Sequence, residues 1–127
     1  MVAAGQNLCI ALEAAADLSL HQFTVMRVVS TNAINIASHN AVTRAIGVLQ
    51  DTPNAVGRMG RVAVAGETVV KAGAAFSAGV PLSHNSSGRA IAATSGLCII
   101  GTSLEVAAAD GDFVRMLLAT TTALGQV

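Results

Sequence analysis

Side chains that could do chemistry are few in this chain and lie far apart. Its histidines, His21, His39 and His84, each stand beside polar turn residues, with no second histidine or carboxylate at the spacing of metal ligands. Among the acidic residues only Asp110 and Asp112 are close together, and they flank a glycine in a turn, which suits a solvated loop better than a catalytic pair. The sequence therefore predicts a protein that is not an enzyme, with no catalytic, metal or cofactor-binding residues and no small-molecule substrate.

The two cysteines, Cys9 and Cys98, lie inside apolar runs and belong to no Cys-x-x-Cys or Cys/His cluster. A free cysteine behaves as a small apolar side chain and is among the most buried residue types. We therefore predict two reduced cysteines that pack in the core, with a disulfide as the alternative.

The charges argue against nucleic acid as a partner. Seven basic and seven acidic side chains are scattered singly along the chain, so no patch could neutralise phosphates. The chain also has no Trp and no Tyr on which bases could stack. The stretch Gly57-Arg58-Met59-Gly60 is similar to the Gly-x-x-Gly loop of an RNA-binding module, but that loop joins two helices, and here a turn between strands is expected.

The composition instead indicates a surface that contacts other protein. Charged residues make up 11% of the chain, where about a quarter is usual. Charge-free stretches such as 72–88 and 90–104 are interrupted by polar residues and are too short for a membrane span, and the segment before Leu12 lacks the basic residues of a secretory signal. We expect a soluble protein with no membrane partner, made in the cytoplasm, whose apolar surface is covered by self-association or docking.

The elements that position these residues follow from a stretch that occurs twice, at residues 45–65 and, 54 positions later, at 99–119. Each copy has the pattern of a short apolar strand interrupted by a glycine, then a loop, then a second strand that alternates in period two about an arginine. The shared positions are Gly47, Gly57 and Arg61 in the first copy and Gly101, Gly111 and Arg115 in the second. Two strand-loop-strand units are therefore predicted.

The glycines are expected where the backbone turns or approaches another strand closely. A glycine inside a strand often marks a bulge or a close approach of two backbones, and we expect this role for Gly47 and Gly101. The remaining three are expected in turns: Gly57, Gly88 and Gly111.

Two similar halves indicate one closed domain. The similarity extends backwards from both copies, so the halves cover about residues 19–65 and 76–119. Two copies cannot bury the open ends of a solenoid. The predicted fold class is all-β, a small closed β-barrel or sandwich built from these halves, with little helix. Residues 1–18 are predicted to be an N-terminal docking segment outside the duplicated unit, and residues 19–127 a single β domain.

Several motifs in a fixed order carry a resemblance to a known family. They are Ala45-Ile46-Gly47-Val48, then Lys71-Ala72-Gly73-Ala74-Ala75-Phe76-Ser77-Ala78-Gly79, then Gly88-Arg89-Ala90-Ile91, and a last stretch from Ile100-Gly101 through Ala109-Asp110-Gly111-Asp112-Phe113-Val114. Over about residues 20–119 the chain resembles the small cement, or decoration, proteins of tailed-phage capsids.

The resemblance implies a non-enzymatic structural protein that binds the outer surface of a phage capsid and stabilises the shell. It implies the major capsid protein as partner, self-association into homotrimers, a place on the exterior of the virion, and synthesis in the cytoplasm of the host bacterium. The residues expected to contact the capsid or another subunit are Leu8, Ile10, Leu12, Leu18, Leu20, Phe113 and Leu117. The alternative is a β-barrel that binds a small ligand, which the scarcity of aromatic residues disfavours.

Overall fold

The computed structural model describes residues 7–37, 45–93 and 99–118, and in these ranges the chain is all β-structure without helix. The strands are β1 (Asn7–Ala14), β2 (Val25–Ser30), β3 (Ala33–Ile36), β4 (Ala45–Leu49), β5 (Met59–Lys71), β6 (Pro81–His84), β7 (Ala90–Ala92), β8 (Gly101–Ser103) and β9 (Phe113–Leu118). The predicted all-β fold is confirmed. Nowhere in the described ranges is there a helix long and apolar enough to cross a membrane.

The first five strands close into a barrel. Their order is β1-β3-β2-β4-β5, and β5 pairs back to β1, so each of these strands has partners on both sides. All neighbours are antiparallel except β1 and β3, which run parallel. Closure leaves no open sheet edge within this set. Buried apolar side chains fill the interior: Ala14, Leu18, Met26, Ile34, Leu49 and Val62.

The β2–β3 hairpin shows why the chain reverses where it does. Asn32 occupies the turn with φ of 58°, a left-handed conformation that Asn tolerates better than most residues. In the later β6–β7 hairpin Gly88 has φ of 74° in the turn, and the Asn85 side-chain oxygen accepts hydrogen bonds from the backbone N–H groups of Ser87 and Arg89. Both hairpins are therefore fixed by local turn chemistry.

The remaining strands continue from β5 and form what we call the second unit, in the order β5-β9-β8-β6-β7. Ala72, directly after β5, makes a parallel bridge with Ala90 at the start of β7, which brings the two ends of this set together. Strand β5 thus belongs to both sets: residues 59–66 pair with β1, and residues 66–71 pair with β9. Gly66 lies at the junction with φ of 94°, which L side chains rarely adopt.

Residues 54 positions apart in the two predicted strand-loop-strand units pair in the same register. Val48 lies opposite Ala63 in residues 45–65, and Thr102 lies opposite Leu117 in residues 99–119. Order is shared as well, because β3-β2-β4-β5 in the first barrel corresponds to β7-β6-β8-β9 in the second unit, with antiparallel pairing throughout.

The acids of the two loops also make the same hydrogen bond. The Asp51 carboxylate accepts from the backbone N–H of Arg61 at 3.1 Å, and the Glu105 carboxylate accepts from that of Arg115 at 2.9 Å. Each acid therefore anchors the loop of its unit to the start of the following strand. A structural role accounts for both carboxylates.

Strand β1 has a counterpart in the second unit, and this corrects the predicted N-terminal segment. Ala14 pairs in parallel with Ile34, and Ala72, 58 positions later, pairs in parallel with Ala90. Leu18 N–H donates to the Pro53 carbonyl, and 58 positions later Phe76 N–H donates to the Ala107 carbonyl.

Residues 7–14 are therefore part of the closed sheet, and residues 7–18 correspond to residues 65–76. They do not form a segment outside the β domain, and the boundary placed at residue 18 has no counterpart in the sheet.

The two sets of strands share one core. Val25, Val48 and Ala63 lie on the outer face of the first barrel, and they belong to the same buried cluster as Leu82 and Met116 inside the second unit. The second unit thus packs against the part of the outer face of the first barrel that carries these three residues.

Candidate functional site

The described residues bring no metal-binding group together. No cluster of three or more His, Cys, Asp or Glu side chains lies in the described ranges. Cys9 is free and half-buried, and its thiol donates to the side-chain oxygen of Asn7 at 3.1 Å. His84 is buried, with Nδ1 at 3.1 Å from the Asn85 carbonyl oxygen. Cys98 and His39 lie outside the described residues.

The Asp17 carboxylate accepts a hydrogen bond from the backbone N–H of Ser19 at 2.9 Å. Hydrogen bonds from the backbone and side chain of Ser19 hold the pKa of the Asp17 carboxyl below its usual value. The group lies in an exposed turn, where these hydrogen bonds hold the chain that follows β1.

Exposed apolar side chains are the most prominent surface feature. They are Leu8, Ile10, Leu20, Val28, Val56, Met59, Leu104, Val106, Phe113 and Leu117. Five of these residues lie on strands β1, β5 and β9, and together they are called the strand surface: Leu8, Ile10, Met59, Phe113 and Leu117. They form separate exposed positions rather than one patch, because Met59 begins the 13-residue strand β5 and Phe113 pairs with its last residue, Lys71. Another part, Leu20 and Val56, lies on loops of the first barrel and is called the loop surface.

Five of the seven residues expected to make contacts are exposed: Leu8, Ile10, Leu20, Phe113 and Leu117. Leu12 is half-buried and packs against the interior of the first barrel. Leu18 is 1% exposed and belongs to that interior, so its assignment as a contact residue was wrong. The Leu18 backbone N–H donates to the Pro53 carbonyl at 2.9 Å.

On β9 the strand surface is fixed by pairing with β5. Phe113 lies opposite Lys71, and Leu117 lies opposite Glu67. The Phe113 ring packs edge-on against Phe23, with centroids 5.9 Å apart and planes at 78°, and the Lys71 ammonium lies 5.9 Å from the centre of the same ring. Phe113 is thus held in one orientation although it is exposed.

Two ion pairs lie on the second unit. Glu67 and Arg115 form an ion pair at 3.3 Å, with both side chains partly exposed. Arg89 and Asp110 form a second pair at 2.7 Å near the β6–β7 turn. Partly exposed pairs of this kind contribute little to folding, about 0–1 kcal/mol each.

Backbone hydrogen bonds place the two residues of the loop surface at the same end of the first barrel. The Leu18 N–H donates to the Pro53 carbonyl at 2.9 Å, and the Gly57 N–H donates to the Ala14 carbonyl at 2.9 Å. These bonds join the loop that carries Leu20 to the loop that carries Val56. Val56 was missed in the sequence because a single apolar residue inside a turn gives no periodic signal.

Three of the five glycines singled out in the sequence lie at positive φ in turns or loops: Gly57, Gly88 and Gly111. The other two, Gly47 and Gly101, lie inside strands. A Cβ on Gly47 would overlap the Ala63 carbonyl oxygen, and a Cβ on Gly101 would overlap the Leu117 carbonyl oxygen. The two units therefore use a glycine at the same close approach of two backbones.

The described ranges thus form an all-β fold with exposed apolar side chains on strands and on loops, and they bring no metal-binding cluster together. Over residues 2–118 the sequence matches the family described as phage cement protein. The chain belongs to this family and is a structural protein of a phage, associated with the virion. The family resemblance stated from the motifs is confirmed.

The fold is also similar to the crystal structure of the head fiber gp8.5 N base of bacteriophage phi29. The TM-score is 0.66 at 15% sequence identity, and the match covers 91% of this chain and 97% of that one. At this identity the likeness concerns the fold. No curated protein matches the chain.

Proposed function

We propose that the chain binds the outer surface of a phage capsid and stabilises the shell against rupture. The observation that carries the proposal is the match to the phage cement protein family over almost the whole chain. The partner is the major capsid protein, the protein acts as a homotrimer on the capsid exterior, and synthesis takes place in the cytoplasm of the host bacterium.

The exposed apolar residues support a protein that works by docking. Leu20 is 84% exposed and Val56 is 73% exposed, and both lie on the same end of the first barrel. Large apolar side chains at loop tips lose favourable burial unless another surface covers them. We assign the capsid contact to this loop surface. In this proposal Leu20 makes the contact near the N-terminus, and β1 remains part of the barrel.

Many copies on a symmetric shell explain how so small a surface can suffice. Each subunit contributes a modest contact, and subunits that are linked to each other bind together, which multiplies the affinity without new contacts. Self-association and capsid binding therefore support each other.

The alternative of a ligand-binding barrel lacks support in the packing. Met26, Ile34, Leu49 and Val62 are fully buried and occupy the interior of the first barrel. Side chains fill the interior of a barrel this small, where a ligand-binding barrel would enclose a cavity.

Binding and rupture of capsids test the proposal. Purified protein is added to filled capsids that lack it, and sedimentation measures binding while release of packaged DNA on heating measures rupture. We expect the wild-type protein to sediment with capsids and to raise the rupture temperature. The double variant Leu20→Ser with Val56→Ser is expected to remain folded and to lose binding, and Val106→Ser, on a loop of the second unit, is the matched control. Wild-type protein that neither sediments with capsids nor changes the rupture temperature contradicts the proposal.

A further inference from the structure

The first barrel and the second unit are in contact within the chain, and the residues that correspond to each side of this contact in the other unit are partly exposed. Val48 and Ala63, on the outer face of the first barrel, are 0% exposed because the second unit covers them. Their counterparts 54 positions later, Thr102 and Leu117, are exposed, and Leu117 is an apolar side chain. The second unit thus presents to solvent the face that the first barrel buries.

The opposite side of the contact has an exposed counterpart too. Thr68 and Val70, in the part of β5 that belongs to the second unit, are 0% exposed. Their counterparts on β1, 58 positions earlier, are Ile10, which is 41% exposed, and Leu12, which is half-buried. Ile10 on β1 is thus partly open to solvent, whereas its counterpart Thr68 is fully buried.

One side-chain pair in the internal contact identifies what these two faces would do together. The Gln50 side-chain amide donates to the Thr68 hydroxyl at 2.7 Å. The counterpart of Gln50 is Leu104, which is 38% exposed, and the counterpart of Thr68 is Ile10. A polar pair inside the chain therefore corresponds to an apolar pair, Ile10 and Leu104, whose two members are both exposed.

From this correspondence we propose that two copies of the chain associate head to tail, with Ile10 of one copy packed against Leu104 and Leu117 of the next. The first barrel of one copy then sits on the second unit of its neighbour as the second unit sits on the first barrel within the chain. This proposal deepens the self-association part of the proposed function and rests on it. A head-to-tail contact closes into a ring when its rotation permits, and a trimer would be a ring of three such contacts.

A second exposed residue fits the same arrangement. Within the chain Phe113 packs against Phe23. The counterpart of Phe113 is Met59, which is exposed, and the counterpart of Phe23 is Gly79, whose absent side chain has open space around it. The flexible Met59 side chain of one copy can occupy the space over Gly79 of the next.

One internal hydrogen bond has no equivalent between copies. Val25 N–H donates to the Gly88 carbonyl at 2.7 Å, but the counterpart of Val25 is Pro81, which has no N–H. The contact between copies therefore depends on apolar packing rather than on a continued backbone hydrogen bond. This is why the apolar pair is the correct target for a test.

Charge substitutions at the two faces test the pairing, with the molar mass in solution measured by size-exclusion chromatography with light scattering. The wild-type chain should elute at a multiple of 12.7 kDa, three copies for a trimer. Ile10→Glu and Leu104→Lys should each reduce the mass to that of one chain at the same concentration. The combined variant, Ile10→Glu with Leu104→Lys, should restore the oligomer because the introduced charges face each other across every contact. Leu20→Ser, outside the proposed contact, should keep the wild-type mass.

Thermal unfolding of each variant separates loss of the contact from loss of the fold. If Ile10→Glu fails to unfold cooperatively, Ile10→Thr, which copies the residue at the corresponding position of β5, replaces it and should lower the mass. The proposal is overturned by a wild-type monomer, by folded single variants that keep the oligomer, or by a combined variant that stays monomeric.

These results are independent of capsid binding. A wild-type oligomer that responds to the variants as expected but does not sediment with capsids defeats the proposed function and leaves the contact standing. A monomer that sediments with capsids overturns the proposed contact between copies and leaves capsid binding standing.

Discussion

Replacing Gly101 by alanine should destabilise the protein through a backbone collision. An added Cβ would overlap the Leu117 carbonyl oxygen and lie 2.9 Å from Met116 Cγ and Sδ. The Met116 side chain can move, but the carbonyl belongs to the paired strand β9, so β8 and β9 must separate locally. Overpacking of this kind costs about 1–3 kcal/mol, and the backbone partner places Gly101 near the upper end.

The net effect is smaller because alanine restricts the unfolded chain. This restriction raises the unfolding free energy by about 0.4–1 kcal/mol, so the net decrease in the unfolding free energy is about 2 kcal/mol. For a domain of this size about 1 kcal/mol corresponds to about 4 °C, so the melting temperature should fall by about 8 °C. Gly47→Ala should have a similar effect, because the added Cβ meets the Ala63 carbonyl in the same way.

Gly57→Ala is the matched control. Gly57 has φ of 87° and open space around the position of a Cβ, so only the backbone conformation is penalised, by about 1–2 kcal/mol before the same unfolded-state gain. Thermal unfolding of the three variants at one protein concentration makes the comparison, since self-association would make melting temperatures depend on concentration. A Gly101→Ala protein that melts no lower than Gly57→Ala would refute the collision, and a large difference between Gly47→Ala and Gly101→Ala would refute the equivalence of the two sites.

Three further predictions follow from the same structure. Deleting residues 1–18 should abolish cooperative thermal unfolding, because it removes β1 and opens the barrel, and a stable folded remnant would contradict the closure described here. Phe113→Leu should lower the unfolding free energy measured in urea by about 0.5–1.5 kcal/mol through loss of the edge-on pair with Phe23, and an unchanged value would mean that the ring contact contributes nothing. Thiol titration of the unfolded, unreduced protein should count two thiols, Cys9 and Cys98, and a count of zero would establish a disulfide.

Sequence reasoning reached the strand-loop-strand units because their geometry depends on residue types that stand out. Gly47 and Gly101 lie at close backbone approaches that exclude any side chain. Asp51 and Glu105 stand at the same place in both loops because each accepts a hydrogen bond from the following strand. Positions that require one residue type in this way can be recognised in the sequence even where the surrounding residues of the two copies differ.

The pairing of β1 within the barrel could not be predicted, because its counterpart in the second unit lies at a different spacing and has different residue types. The spacing between corresponding residues is 54 positions for β4 and β5 but 58 for β1, because two loops of the second unit are shorter. Residues 7–18 and 65–76 share hydrogen bonds but almost no residue types, since a strand that pairs through its backbone tolerates many side chains. Burial of Leu18 was missed with it, as that residue follows directly on β1.

The shared strand β5 has a mechanical consequence. Its 13 residues pass from the first barrel to the second unit without a linker, and backbone pairing with β1 and then β9 extends along its whole length. A pull along this strand loads many hydrogen bonds at once in shear, whereas a flexible connection would let the two units separate before either resisted. Tension applied between the first barrel and the second unit is therefore carried by one continuous, paired backbone, so the two units resist extension together.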